Sequence, residues 1–230
     1  MAETDIGRRL EYIKSRLHEA EIRGGRQPGY TKILYATKYA SAQQIALLCK
    51  LEQPPLAIGE NRVQEAKAKF AQLLSIIGQE RYATIEKHMI GNLQSNKIAD
   101  AVSIFSCIQS ISSLESAEKV SKRAEMQGKE IQVYVEVNNG EKSKQGVDFT
   151  QVEELAGKIA KLPGLKLAGL MGMGVHGDAH ATRVFFRQLR KKADELGLKA
   201  SMGMSDDFEI AAEEGADMVR IGRAVFASPS

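Results

Sequence analysis

The chain has 230 residues, of which 43% are hydrophobic and 27% are charged. This length and composition are those of a globular protein with a sizeable core, and they exclude a disordered or fibrous chain. The formal net charge of +3 arises from 32 basic and 29 acidic side chains scattered along the sequence, so no nucleic-acid partner is predicted.

The sequence also bears on the cellular setting and on metal binding. The N-terminal segment lacks the apolar stretch of a secretory signal, and no window reaches the roughly 18 apolar residues of a membrane span. Cys49 and Cys107 lack the spacing of a disulfide framework or a zinc site, and His176 and His180 lack acidic or cysteine companions. We expect a cytoplasmic protein with reduced cysteines, no membrane partner and no metal.

The first predicted element is an amphipathic helix, followed by glycine-rich turn residues. Its apolar residues recur at helical spacing: Ile6, Leu10, Ile13, Leu17 and Ala20.

Short apolar runs then alternate with helical stretches. The predicted strands are 33–38, 56–60, 87–91, 103–108, 131–138, 165–173, 200–204 and 218–222. The predicted helices between them include 41–51, 61–74, 113–127, 150–161, 178–196 and 206–214. Eight such alternations predict an α/β fold, a closed (β/α)8 barrel forming one domain over residues 1–230, with an open doubly wound sheet as the alternative.

Alternation within the strands predicts which side chains enter the barrel. In 131–138 the apolar odd-numbered residues face the helices, whereas Glu136 and its even-numbered neighbours point inward. In 218–222 the same alternation turns Arg220 inward. A buried guanidinium needs a partner because it stays protonated, and either Glu136 or a ligand acceptor would serve.

Lys38 ends the apolar run ILYATK, and residues 33–40 contain no acidic side chain. A lysine at a strand end commonly extends its ammonium group to water. A poorly solvated lysine without a carboxylate partner instead has a lowered pKa, and its free amine can attack an aldehyde. If its face of the strand is inward, Lys38 lies at the C-terminal mouth, where such barrels carry active sites. Both interpretations remain open at this point.

The stretches after the last two predicted strands contain candidate phosphate ligands. Loops seven and eight of such barrels commonly bind phosphate through backbone N–H groups. Gly222 permits close backbone approach or simply closes a turn, and Arg223 offers a charge-assisted contact. Ser205 is suited to bond a phosphate oxygen or to cap a helix. Asp206 and Glu209 have the spacing of a helix-capping pair, which is the role predicted for them.

Seven motifs in their order along the chain resemble the pyridoxal phosphate homeostasis protein family, whose members resemble the barrel domain of bacterial alanine racemase. The resemblance covers nearly the whole chain. The motifs are ILYATK at 33–38, IGENRVQE at 58–65, HMIGNLQSNK at 88–97, KSKQG at 142–146, GLMGMG at 169–174, SMGMSDD at 201–207 and VRIGRAVF at 219–226.

The resemblance implies a barrel of the fold-type III kind and a site for pyridoxal 5′-phosphate. Lys38 would hold this cofactor as a Schiff base, Arg220 would lie beside its pyridine nitrogen, and Ser205 with the backbone near Gly222 and Arg223 would hold its phosphate. The resemblance also implies that Asn61 and His88 line the mouth. Asn61 could instead cap the next helix. A single histidine in such a position is more often a core residue with its hydrogen bonds satisfied than a ligand.

Three positions depart from the usual family pattern. Arg223 replaces a common threonine, which puts one side-chain phosphate contact in doubt. Tyr39 replaces a threonine after the cofactor lysine, and Lys87 replaces a tryptophan before the histidine of the third strand. None of these changes removes Lys38 or Arg220.

The resemblance implies a carrier that buffers pyridoxal phosphate and passes it to apo-enzymes, without robust catalysis. The resembling racemases have a second, β-rich domain, and few residues follow the last predicted strand here, so we expect neither that domain nor its dimer surface. A monomer or weak dimer is therefore expected. The alternatives are a small amino-acid racemase that uses Lys38 as its base and a cofactor-free barrel aldolase with a Schiff-base lysine.

Overall fold

The computed structural model describes residues 2–141 and 145–226, with side chains from residue 5 onward. Within these ranges, eight parallel strands close into a barrel. The strands are β1 (Lys32–Ala36), β2 (Leu56–Glu60), β3 (Ile85–Met89), β4 (Cys107–Ile111), β5 (Ile131–Val137), β6 (Leu165–Gly172), β7 (Lys199–Ser201) and β8 (Met218–Ile221). Each strand pairs with the next, and β8 pairs with β1, so the closed barrel is confirmed and the open sheet is wrong. Much of the motif KSKQG at 142–146 lies outside the described residues.

Helices cover the outside of the barrel, and α1 precedes the first strand. The helices are α1 (Ala2–Arg23), α2 (Ala42–Leu51), α3 (Val63–Ala83), α4 (Ile98–Ile104), α5 (Leu114–Met126), α6 (Phe149–Ile159), α7 (Ala179–Glu195), α8 (Phe208–Glu213) and α9 (Arg223–Phe226). A 3-10 turn at Ser95–Lys97 precedes α4. No helix within the described residues is long and apolar enough to cross a membrane.

Several strand boundaries differ from the prediction, those of the fourth and first strands among them. The fourth strand was predicted at 103–108, but α4 extends to Ile104 and β4 begins at Cys107. Ile98, Ala101 and Val102 are buried at helical spacing, so the apolar run before the strand belongs to the helix. The first strand ends at Ala36, two residues before Lys38.

Strand alternation separates the core into an outer and an inner part. Ile131, Val133, Val135 and Val137 pack in the cluster between the barrel and its helices, whereas Tyr134 packs in a separate cluster with Cys107 and Met171. The predicted faces of β5 are therefore confirmed. The outer cluster also contains Val219 and Ile221, which leaves Arg220 inside the barrel, as predicted.

The predicted N-terminal helix is confirmed and is attached to the barrel through α8. All five of its predicted apolar residues are buried. At its surface, Arg16 pairs with Glu209 at 2.7 Å, and Arg23 pairs with Glu213 at 2.7 Å. Glu209 thus contacts α1.

We predict that Phe70→Ala destabilises the protein by about 3–5 kcal/mol, because it opens a cavity in a packed core. The Phe70 side chain lies on α3, is 2% exposed and meets the Phe105 ring edge-on at a centroid distance of 5.9 Å. Ile76→Ala, on the same helix but 48% exposed, is the matched control and should cost no more than about 0.5 kcal/mol. Urea unfolding measures both, and equal losses would contradict the packing described here.

Candidate functional site

Lys38 lies in a turn just after β1, at the C-terminal mouth of the barrel. Thr37, which precedes it, is fully buried, and its backbone N–H donates to the Gly59 carbonyl at 2.8 Å. The Lys38 side chain is half-buried, and its Nζ lies 5.4 Å from the centroid of the Tyr39 ring. No carboxylate in the described ranges pairs with this ammonium group. Among the described residues, Lys38 therefore lacks an acidic partner in the folded protein as well as in the adjacent sequence.

A buried ion pair supports the Lys38 turn from the helix side. Lys69 on α3 donates from Nζ to the Thr37 carbonyl at 2.7 Å and to Glu60 Oε1 at 2.8 Å. The Thr37 hydroxyl also donates to Glu60 Oε1, at 2.7 Å. These contacts fix the backbone from which Lys38 projects. The sequence did not single out Lys69 or Glu60, because nothing in a helical lysine signals a partner 32 residues earlier.

Loops seven and eight converge on the end of β1. The backbone N–H of Arg220 donates to the Gly203 carbonyl at 2.8 Å, and Ala224 N–H donates to Ser205 Oγ at 3.4 Å. A Cβ at Gly222 would lie 2.8 Å from the Ala36 carbonyl oxygen, so only glycine allows β8 this close to β1. Ser205 and Gly222 are therefore brought to the same end of the barrel as Lys38.

The acidic residues of loop seven do not form the predicted capping pair. Asp206 accepts a hydrogen bond from Arg223 Nη2 at 2.5 Å, and both side chains are exposed. Asp207 occupies the cap position of α8, but its Oδ1 accepts from Met204 N–H at 2.5 Å instead of from the helix. The prediction for Asp206 and Glu209 is wrong because both acids meet arginines that are distant in sequence.

Arg220 is a buried cation that neutral oxygens surround. Its Nη1 donates to Ser201 Oγ and its Nη2 donates to the Gly172 carbonyl, both at 2.8 Å. Among the described residues no carboxylate lies within ion-pair distance, so Glu136 is not its direct partner. Burial lowers the pKa of Arg220 to about 10, against the opposing attraction of Asp207 and Glu136. The group therefore remains charged at neutral pH.

Glu136 is a buried carboxyl group in the barrel interior. Its side chain is 5% exposed, and in the described part of the chain it makes neither an ion pair nor a hydrogen bond. Burial raises the pKa of Glu136, and the charge of Arg220 only partly opposes this shift. A carboxyl group with these properties can hold or release a proton inside the barrel.

Asn61 and His88, both predicted at the mouth, are separated in the structure. Asn61 follows β2 and lines a cleft of 540 Å³ with Gly91 and Lys97 among other residues. It does not cap α3, whose cap residue is Arg62. His88 is 2% exposed and lies inside the barrel, where Gln109 Nε2 meets its Nδ1 at 2.9 Å. Inward alternation on β3 thus buries His88 inside the barrel instead of exposing it at the rim, and its role toward a ligand stays a prediction.

We predict that the free energy of unfolding falls as the pH drops from about 7 to about 5.5, because of His88. Burial lowers the pKa of His88, so the unfolded chain takes up a proton near its ordinary pKa of about 6.5 while the folded chain does not. Glu86, whose pKa is lowered to about 2 chiefly by its contact with His88, stays ionised over this range. The slope contributed is at most about 1.4 kcal/mol per pH unit.

Urea unfolding at several pH values measures this slope in the wild type, in His88→Asn and in the control His176→Asn. The wild type and the control should keep the slope, and His88→Asn should lose it. An equal slope in all three would contradict the assignment.

Comparison with known proteins places this geometry in a family. Residues 27–229 match the family model described as "Alanine racemase, N-terminal domain". The pyridoxal phosphate homeostasis protein of Aquifex aeolicus is 35% identical, with 95% of this chain and 96% of the relative covered.

Two solved structures share the barrel. A protein of Bifidobacterium adolescentis described as unknown has a TM-score of 0.89 at 34% identity, covering 98% of this chain and 96% of its own. PipY of Synechococcus elongatus PCC7942, solved with pyridoxal phosphate bound, has a TM-score of 0.82 at 29% identity, covering 96% of this chain and all of its own. The barrel, the family match and this near-full-length similarity show that the chain belongs to the pyridoxal phosphate homeostasis protein family.

Proposed function

We propose that this protein binds pyridoxal 5′-phosphate as a Schiff base on Lys38 and acts as a carrier in pyridoxal phosphate homeostasis. The observation that carries the proposal is the convergence of three chemically different groups at one end of the barrel. These are the Lys38 amine without a carboxylate partner, the Ser205 and Gly222 loops, and the buried Arg220 cation. The relatives' name and the PipY complex support the same ligand.

The residues present fit this ligand in charge and in hydrogen-bonding type. The ligand supplies an aldehyde that condenses with an amine. Ser205 Oγ and the backbone near Gly222 offer contacts to its phosphate, and Arg223 offers a guanidinium that already faces Asp206. Arg220 would lie beside the ring nitrogen and Asn61 at the rim. His88, predicted as a further contact, is buried and its ring meets Gln109, so we do not include it in this set.

Arg220 favours a carrier over an efficient enzyme. A permanent cation beside the ring nitrogen disfavours protonation of that nitrogen and so weakens the ring as an electron sink. Carbanion chemistry is then less well supported than in sites that offer the nitrogen a carboxylate. In this proposed role residues 1–230 form one barrel domain, which acts in the cytoplasm as a monomer or weak dimer and delivers its ligand to apo-enzymes.

Glu136 favours one alternative, a small amino-acid racemase. Its buried carboxyl, with a raised pKa, is a proton-transfer group inside the barrel in addition to the Lys38 amine. Incubation with single-enantiomer amino acids in deuterium oxide separates the two functions. A carrier should show no incorporation of deuterium at the α-carbon above free pyridoxal phosphate. Incorporation that is lost in both Glu136→Gln and Lys38→Ala would establish the enzyme.

We predict that Lys38→Ala abolishes the visible absorption band that appears when pyridoxal phosphate is added to the wild type. Lys50→Ala, an exposed lysine of the following helix α2, is the matched control and should bind as the wild type does. Absorbance titration measures both. A full band in Lys38→Ala would refute the assigned lysine.

A second prediction concerns Tyr39, which replaces the common threonine. Its ring is 75% exposed and faces Lys38 Nζ, and such a contact stabilises the ammonium form by about 0.5–1 kcal/mol. Because Schiff-base formation consumes the Lys38 ammonium group and so ends this contact, Tyr39→Thr should bind pyridoxal phosphate about two- to fivefold more tightly. Tyr39→Phe keeps the ring and should match the wild type in the same titration. Weaker binding by Tyr39→Thr would show that the ring instead contacts the ligand.

A further inference from the structure

A continuous chain of hydrogen bonds crosses the barrel interior from Arg220 to His88. The Arg220 guanidinium donates to Ser201 Oγ at 2.8 Å, and Ser201 Oγ donates to Gln109 Oε1 at 2.8 Å. Gln109 Nε2 then meets His88 Nδ1 at 2.9 Å. Four strands contribute these side chains, each of which is at most 5% exposed.

The chain ends at an ion pair near the opposite end of the barrel. His88 Nε2 lies 3.5 Å from Glu86 Oε2, and Glu86 Oε1 accepts from Lys32 Nζ at 2.7 Å. Lys32 is the first residue of β1 and Glu86 the second of β3, so the pair lies at the N-terminal end of the strands. Its side chains are 34% and 41% exposed.

We propose that Gln109 and Ser201 are positioning residues that, through this chain, hold the Arg220 guanidinium for the ligand at the mouth. The ligand part of this inference rests on the proposed function, whereas the order of the chain does not. Gln109 was not among the residues singled out in the sequence, and neither residue reaches the ligand in this arrangement.

Donor and acceptor chemistry gives the chain a single direction. Arginine has only donors, so Ser201 Oγ accepts from Arg220, and its own hydrogen has Gln109 Oε1 as its acceptor at 2.8 Å. That hydrogen requires the amide oxygen of Gln109 on the Ser201 side and therefore its NH₂ group on the His88 side. His88 Nδ1 must then accept, which places the ring proton on Nε2, facing the Glu86 carboxylate. The contacts that begin at the Arg220 cation thus set the amide orientation of Gln109 and the tautomer of His88.

The cost of a buried cation explains why this order matters. A guanidinium inside a protein without an ion pair is stable only if its hydrogens meet well-placed acceptors. Gln109 takes the hydroxyl hydrogen of Ser201 and so keeps a lone pair of Ser201 Oγ directed at Arg220. Loss of the Gln109 amide frees that hydroxyl to rotate, and the Arg220 side chain loses one of its two fixed contacts.

The test has one arm without ligand and one arm with it. In the first, ¹⁵N NMR reports the ring protonation of His88, assigned by its loss in His88→Asn. The wild type should show a neutral ring with its proton on Nε2. In Gln109→Glu, a carboxylate replaces the donor, so His88 should gain a proton on Nδ1. A wild-type ring protonated on Nδ1, or no change in Gln109→Glu, would overturn the chain.

In the second arm, pyridoxal phosphate is titrated against Gln109→Met, Ser201→Ala and the control Ser110→Ala. Ser110 is a buried neighbour on β4 whose hydroxyl donates to the Gly91 carbonyl at 2.6 Å, outside the chain. The first two variants should bind about fivefold more weakly, with a shifted absorption maximum, and the control should match the wild type. Near-UV circular dichroism checks that each variant is folded. If Gln109→Met does not fold, the titration of folded Ser201→Ala alone decides the test.

The two arms separate this inference from the proposed function. Wild-type binding with unchanged affinity and spectrum in folded variants would overturn the positioning role. Absence of any wild-type binding would overturn the proposed function, and the NMR arm would still decide the order of the chain.

Discussion

The Arg220 guanidinium is a positive charge inside a barrel, and its neighbours are arranged to make that placement stable. No carboxylate of the described residues lies within ion-pair distance, so the charge depends on Ser201 and the Gly172 carbonyl as acceptors. The acceptor role of Ser201 depends in turn on the amide of Gln109. Because an unsatisfied buried charge is far more costly than an unsatisfied neutral group, this contact constrains the strands around it.

The same strand that carries Arg220 also organises the mouth. β8 pairs with β1 in the closed barrel. Gly222, which follows β8, has no side chain, and this allows its backbone to approach β1 closely. A Cβ on Gly222 would lie 2.8 Å from the Ala36 carbonyl oxygen. Lys38 follows two residues later, on a turn held by Lys69 through the Thr37 carbonyl. The placement of the amine is therefore a consequence of barrel closure and of a buried ion pair behind it. Both features involve residues outside the loop that carries Lys38.

Much of this arrangement could be predicted from local patterns, and the rest required the fold. Period-two alternation correctly turned Glu136 and Arg220 inward, because residue parity within a strand is a local property. It could not show that Ser201 takes the place of Glu136 as the partner of Arg220, since that depends on register between strands. For the same reason His88 was expected at the rim but bonds to Gln109 inside. The start of β4 was misplaced because the apolar residues of α4 lead into those of the strand with no glycine or proline between them.

The central claim is that the Lys38 amine, and no other, captures the aldehyde of pyridoxal phosphate. Borohydride reduction of the protein–ligand mixture followed by peptide mass mapping tests it most directly, because reduction makes the bond permanent wherever it has formed. One reduced adduct is expected, on the peptide that contains Lys38. Adducts spread over several surface lysines, with no enrichment at Lys38, would contradict it.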